Sequence, residues 1–184
     1  MICYGGKTMA TNNFIELEYT KLKDEQLARI GYRDNMVYLS LVAIGAVYSF
    51  ALADSSHYFT FLVLPWVNII LGWMYIVNDE KVSAIGRYIR TQLIENIENT
   101  SNKKIIFNWE IVHRNDKHRI QRKIIQCAVD LLTFPVPGML SIFAFFYFCG
   151  SESRILTIFA IIEIVFLLIL IWQFLQYEDF QKGK

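Results

Sequence analysis

Met36-Val-Tyr-Leu-Ser-Leu-Val-Ala-Ile-Gly-Ala-Val-Tyr-Ser-Phe-Ala-Leu-Ala53 contains no charged side chain. At about 1.5 Å of rise per residue, a helix of that length nearly covers a hydrocarbon core of about 30 Å, so it reads as a membrane span. Working outward, a second uncharged run extends from about Tyr58 to Val77. A third begins near Ile124 and reaches Cys149, with Asp130 and the Pro135, Pro137, Gly138 cluster inside it. A fourth, Ile155 to Leu175, contains Glu163. Composition agrees: 54% of the 184 residues are hydrophobic, including 14 Phe, 10 Tyr and 4 Trp, more apolar surface than a water-soluble domain of this size hides. The expected fold class is an all-α integral membrane protein: four transmembrane helices as two hairpins, with amphipathic cytoplasmic helices.

Orientation follows from the cations. Of 18 Lys and Arg, five precede the first span, ten lie between Asp79 and Lys123 and two follow the fourth. Only Arg154 falls in a short connection, which is a positive-inside pattern. Both termini and the middle segment are expected in the cytoplasm, with Asp54 to His57 and Gly150 to Arg154 as tight outer turns. The chain then divides into an N-terminal amphipathic helix (1–34), hairpin 1 (35–78), a cytoplasmic linker with an amphipathic helix and a basic juxtamembrane segment (79–123), hairpin 2 (124–176) and a tail (177–184). The first apolar run lies behind a charged helix and reads as a retained anchor rather than a cleaved signal; Met9 is an alternative start. A net charge of +1 calls for no nucleic-acid partner. Cys3, Cys127 and Cys149 have neither disulfide nor zinc spacing.

Ile15, Tyr19, Leu22, Leu27 and Ile30 gather on one arc of a helix, with Lys21, Glu25 and Arg29 at i, i+4 spacing elsewhere. After the second span, Val82, Ile85, Ile89, Leu93 and Ile97 repeat at threes and fours, which extends an amphipathic helix out of the bilayer until about Asn99 to Lys104. The N-terminal helix is the economical cover for that stripe; another copy or another protein is the alternative. Ile105 to Val112 suits a strand or a helix equally. Arg114, Lys117, Arg119, Arg122 and Lys123 then precede the third span, where each cation attracts anionic lipid by about 1 kcal/mol. Topogenesis and lipid contact outweigh RNA binding there, because no RNA-binding motif accompanies the charge.

Ionisable groups within spans are costly and point to function. By helical rise Asp130 lies about 9 Å inside the cytoplasmic boundary and Glu163 about 12 Å from the outer one, too far apart along the normal for a dyad. Asn68 has a depth that suits a hydrogen bond to Glu163. One account makes Glu163 protonated interhelical glue, bonded to Asn68 or a backbone carbonyl. The other arranges Glu163 or Asp130 of several copies as rings lining a cation pathway. Pro135, Pro137 and Gly138 should kink the third span and free carbonyls that need a new partner. Arg33 and Asp34 before span one, with Asp79, Lys81 and Arg87 after span two, are candidates for a boundary charge collar or partner contact. Glu110 and His113 form an isolated Glu-x-x-His, His113 and His118 make a poor metal pair, and no nucleophile elbow, P-loop or dinucleotide fingerprint occurs. No catalytic set, metal site or cofactor is expected.

Three segments carry a family resemblance: Leu22-Lys-Asp-Glu-Gln-Leu-Ala-Arg-Ile-Gly-Tyr-Arg-Asp-Asn-Met36, Leu64-Pro-Trp-Val-Asn68, and Asn78-Asp-Glu-Lys-Val-Ser-Ala-Ile-Gly-Arg-Tyr-Ile-Arg90. Over about residues 14–148 the chain resembles the small multi-span accessory proteins encoded beside type VI-B CRISPR RNA-targeting effectors and beside RADAR-type adenosine-deaminase defence genes. The resemblance rests on layout and these segments and brings no catalytic set. It implies a non-enzymatic protein of the bacterial inner membrane, homo-oligomeric, that modulates a cytosolic RNA-targeting effector or perturbs the membrane on infection. A small oligomeric cation channel or transporter unrelated to defence is the alternative.

Overall fold

The computed structural model describes residues 5–95, 119–150 and 154–177, with side chains from residue 14 onward except that of Arg119. Five α-helices follow in chain order: α1 (Gly5–Ala53), α2 (Val63–Tyr88), α3 (Arg119–Thr133), α4 (Pro135–Cys149) and α5 (Arg154–Tyr177). A 3-10 helix, Ser55–Leu62, precedes α2, and a π-helical turn, Ile89–Leu93, ends it. The described residues contain no strand and provide four helical stretches long and apolar enough to cross a membrane: Phe14–Ala53, Ser55–Leu93, Ile120–Cys149 and Arg154–Tyr177. The protein is an all-α, multi-pass membrane protein.

Its turns follow from local chemistry. Asp54 caps the 3-10 helix by accepting the Ser56 N–H at 2.9 Å, a bond that holds the exposed carboxyl below the usual carboxylate range. Pro65 falls in the first turn of α2 rather than in the helix interior, so its missing N–H breaks no α-helical ladder of α2. The expected third span is two helices. Phe134 (φ −107°, ψ −69°) ends α3, and Pro135 opens α4, where proline's fixed φ suits a first turn. Gly150, at φ 64°, closes α4 in the left-handed region that favours glycine.

The described chain forms two compact units. The first comprises residues 5–31 and 78–95. Here Gln26 Nε2 donates to the Val82 carbonyl (3.1 Å), Arg29 Nη1 to Asn78 Oδ1 (3.4 Å) and the Tyr88 hydroxyl to Glu18 (2.8 Å), so the start of α1 lies along the end of α2. Ile89 and Leu93 are buried. Ile15, Tyr19, Leu22 and Ile30 are half-buried as expected, but Leu27, at the edge of its arc, is exposed. Ile97 and residues 99–112 lie outside the described residues.

The second unit comprises residues 32–77, 120–150 and 154–177. One apolar cluster gathers Ala51, Phe61, Leu62, Ile142, Phe145, Ala160 and Leu167; another gathers Met36, Tyr75, Ile76, Phe134, Leu170 and Phe174. Helices meet where glycines leave space: a Cβ on Gly72 would lie 2.9 Å from Leu170 Cδ2, and one on Gly138 would lie 3.1 Å from Leu167 Cδ2 and 3.4 Å from Pro65 Cα. The outer face is greasy. On α3 the apolar Ile120, Ile124, Ile125, Val129 and Leu132 are exposed, whereas Cys127 and Asp130 are buried. That pattern is the reverse of a helix on a water-soluble core and matches one whose outer solvent is lipid.

Candidate functional site

Each span of the second unit contributes a fully buried polar side chain: Ser40 from α1, Asn68 from α2, Ser141 from α4 and Glu163 from α5. Two of these answer a proline. An α-helix pairs the carbonyl of residue i with the N–H of residue i+4. Pro137 has no N–H for Thr133, and Pro65 has none for Phe61. Ser40 Oγ donates to the Thr133 carbonyl at 3.0 Å, and Ser141 Oγ donates to the Phe61 carbonyl. Of the carbonyls freed at the kink of the third span, that of Thr133 therefore finds a neighbouring helix.

Ser40 Oγ also lies 3.1 Å from Asn68 Oδ1. One hydroxyl proton cannot serve two acceptors. Turning the amide over makes Asn68 the donor to Ser40 and Ser40 the donor to Thr133, a continuous chain across three helices. In either orientation the expected Asn68–Glu163 hydrogen bond is not made. Asn68 Nδ2 and both Glu163 oxygens have no protein partner among the described residues. The reason is the kink: the serine that relieves Thr133 is also the one that holds the Asn68 amide. The indole of Trp66 lies beside the Glu163 carboxyl, but its N–H does not reach hydrogen-bond geometry. Trp66 packs against Phe159 and Phe166, each with ring centroids 5.7 Å away; these flank Glu163 at i−4 and i+3.

A second polar cluster sits near Asp130. The Tyr75 hydroxyl lies beside Asp130 and Gln126, and the Arg33 guanidinium lies 5.8 Å from the Tyr75 ring centroid. Tyr75 packs on Phe134 and Phe174. Phe174 is eleven residues beyond Glu163, roughly 16 Å of helical rise, so the two acids belong to separate levels, as their sequence depths imply.

Of the boundary residues, Arg33 pairs with its neighbour Asp34 at 3.4 Å, whereas Asp79, Lys81 and Arg87 belong to the first unit. Arg122 is exposed and Lys123 half-buried on α3; Arg119 opens that helix. Arg114, Lys117, Glu110, His113 and His118 lie outside the described residues. Among the described residues no group of three His, Cys, Asp or Glu is placed to hold a metal. Sequence reasoning missed Ser40, Ser141, Tyr75 and Gln126. The prolines at 65 and 137 were the available signal for the serines, since each names the carbonyl it orphans. No family model, curated protein or solved structure matches the chain.

Proposed function

We propose that the chain is a non-enzymatic accessory or effector protein of a bacterial antiviral defence system, seated in the inner membrane with both termini and residues 79–123 in the cytosol. The defence setting rests on the resemblance of residues 14–148. The orientation rests on 17 of 18 cations falling outside the two short outer connections.

The observation that carries the mechanism is that the two units share α1 and α2. In the first unit these helices are tied by Gln26 to Val82 and Tyr88 to Glu18, at half-buried or exposed positions beside the buried Ile89 and Leu93. Polar ties at such accessible positions are within reach of a docking protein. In the second unit the same helices carry Ser40 and Asn68 of the buried polar layer. A cytosolic partner, an RNA-targeting effector or another defence protein, docks on the first unit, and the shared helices pass the change to the spans of a homo-oligomer. Anionic lipid holds the basic segment from Arg114 to Lys123.

The test is membrane potential, read by a voltage-sensitive dye in cells carrying the chain and an activated RNA-targeting effector. Depolarisation that is weakened by Gln26→Ala or Tyr88→Phe supports the reading. An intact potential with altered effector activity selects the version in which the chain only modulates its partner. If neither changes, the reading fails. Depolarisation without any trigger selects the channel or transporter alternative, although Glu163 faces the interior of a single chain and so does not suit a ring around a symmetry axis.

A further inference from the structure

On α5 the buried residues Ala160, Glu163, Leu167, Leu170 and Phe174 recur at alternating spacings of three and four. This places Glu163 at a core position of the stripe that meets Gly72 on α2 and Gly138 on α4. The carboxyl is fully buried, and neither oxygen has a partner among the described residues. Its third side is closed by Trp66, held between Phe159 and Phe166, which are themselves 39% and 43% exposed on the lipid face. An indole thus separates the acid from lipid.

Among the described residues no counter-charge pairs with it. The titratable and charged groups on the described elements of this unit lie elsewhere. Tyr75 and Asp130, with Arg33, share the level of Phe174, roughly 16 Å away by helical rise. Tyr48 packs on Phe61. Tyr147 is exposed, and Cys149 is the last residue of α4. Asp54, His57 and Arg154 belong to the outer connections. An ionised carboxylate in such surroundings has nothing to offset its desolvation, whereas a neutral acid fits the same packing.

We propose that Glu163 is an exchangeable proton-binding site inside the bundle, and that the proton it holds keeps α2, α4 and α5 closed on one another. Release breaks only the O–H bond, the proton passing to water. The carboxylate left behind draws in water and separates the helices that meet at Gly72 and Gly138. Proton binding is independent of the defence reading; the opening step rests on the spans being the responding element.

The experiment uses the full chain in lipid nanodiscs with no partner present. Dicyclohexylcarbodiimide attacks protonated carboxyls in apolar surroundings, and peptide mass spectrometry locates the adduct. Labelling at Glu163 is expected, with a rate that falls by about tenfold per pH unit once the acid ionises. Glu163→Gln should abolish the adduct and also the infrared carbonyl band of a buried neutral acid, and Trp66→Ala should raise the labelling rate several-fold. If the glutamine variant does not fold, Glu163→Asp stands in: its shorter side chain should shift the carbonyl band and change the labelling rate, and an unshifted band with an unchanged rate overturns the proposal. Absence of an adduct at Glu163 at every pH overturns the proposal, as does an acid band that persists in Glu163→Gln. Suppression of labelling by sodium at fixed pH overturns it too, because the ligand is then a metal cation. Any of these failures leaves the triggered depolarisation untouched, so the two readings fail separately.

Discussion

Along α1, the stretch from residue 14 to 31 and the stretch from 32 to 53 bury different things. In the first, Ile15, Tyr19, Leu22 and Ile30 turn inward while Glu16, Glu18, Lys21, Asp24 and Glu25 are exposed. In the second, Tyr38, Leu39, Leu41 and Val42 are exposed while Ser40 is fully buried. The same contrast divides α2, whose Ile70 and Trp73 face outward before Ile89 and Leu93 turn inward at its end. One stretch is arranged against water, the other against lipid. The difference teaches which forces hold each unit: apolar burial drives the first, whereas lipid is as apolar as leucine and leaves the second to close packing and hydrogen bonds.

That contrast is broken or upheld most forcefully by two leucine truncations. Leu93 in the first unit and Leu170 in the second are almost equally buried. In water, Leu93→Ala loses both transfer and cavity terms, about 2–5 kcal/mol. Leu170→Ala keeps only the cavity part, so its cost should be lower by roughly 2 kcal/mol, the transfer value of three carbons at ~0.8 kcal/mol each. Amide hydrogen exchange of the full chain in nanodiscs reads both local openings. Equal losses would remove the distinction between the units.

Close packing in the second unit is tested by adding bulk. Gly72→Leu drives a side chain into Leu170 and into the less movable Phe134 Cβ, 3.2 Å from the Cβ position, and should cost about 1–3 kcal/mol. Leu170→Ala in the same chain should recover part of that loss, a coupling measured by the double-mutant cycle. Additive costs would show that the two helices do not touch there.

How much of this was readable follows the same division. The four spans came from long apolar runs, and the break between α3 and α4 came from Pro135 and Pro137, because hydrocarbon and proline each impose a rule that holds whatever the tertiary contacts. The boundary of α2 was less legible. The uncharged run from about Tyr58 gave no sign that the residues before Val63 coil as a 3-10 helix behind the Asp54 cap. The partner of Glu163 was misread for another reason. Depth along the normal can be counted from sequence, but the direction a side chain faces around the bundle depends on which helices become neighbours. Thus Asn68 matched Glu163 in depth while its amide went to Ser40.

Smaller in size, but closer to the polar layer, is the exchange between serine and proline. Ser40→Ala should cost about 1 kcal/mol, since it strips the Thr133 carbonyl of its donor. Pro137→Ala restores an N–H four residues beyond Thr133, so in that background the same serine truncation should cost measurably less. Ser141→Ala with Pro65→Ala should repeat the pattern at the Phe61 carbonyl. Both cycles can be read by denaturation of the purified protein in mixed micelles. A zero coupling in both would mean that the serines are held for some purpose other than relieving the prolines.

The smallest expected effect is also the most direct comparison of the two solvents. Gly31 and Gly45 both lie within α1, both are exposed, and a Cβ on either would meet nothing within 4 Å. Packing therefore cannot distinguish Gly31→Ala from Gly45→Ala. In water an opened helix becomes a flexible chain, and alanine restricts that state, so Gly31→Ala should gain about 0.5–1 kcal/mol. A span separated from its neighbours within lipid stays helical, because its backbone groups have no other partners there. Alanine then has no freedom to remove, and Gly45→Ala should change stability by close to zero. Hydrogen exchange near each position measures both, and an equal gain at Gly45 would mean that this part of α1 opens into water.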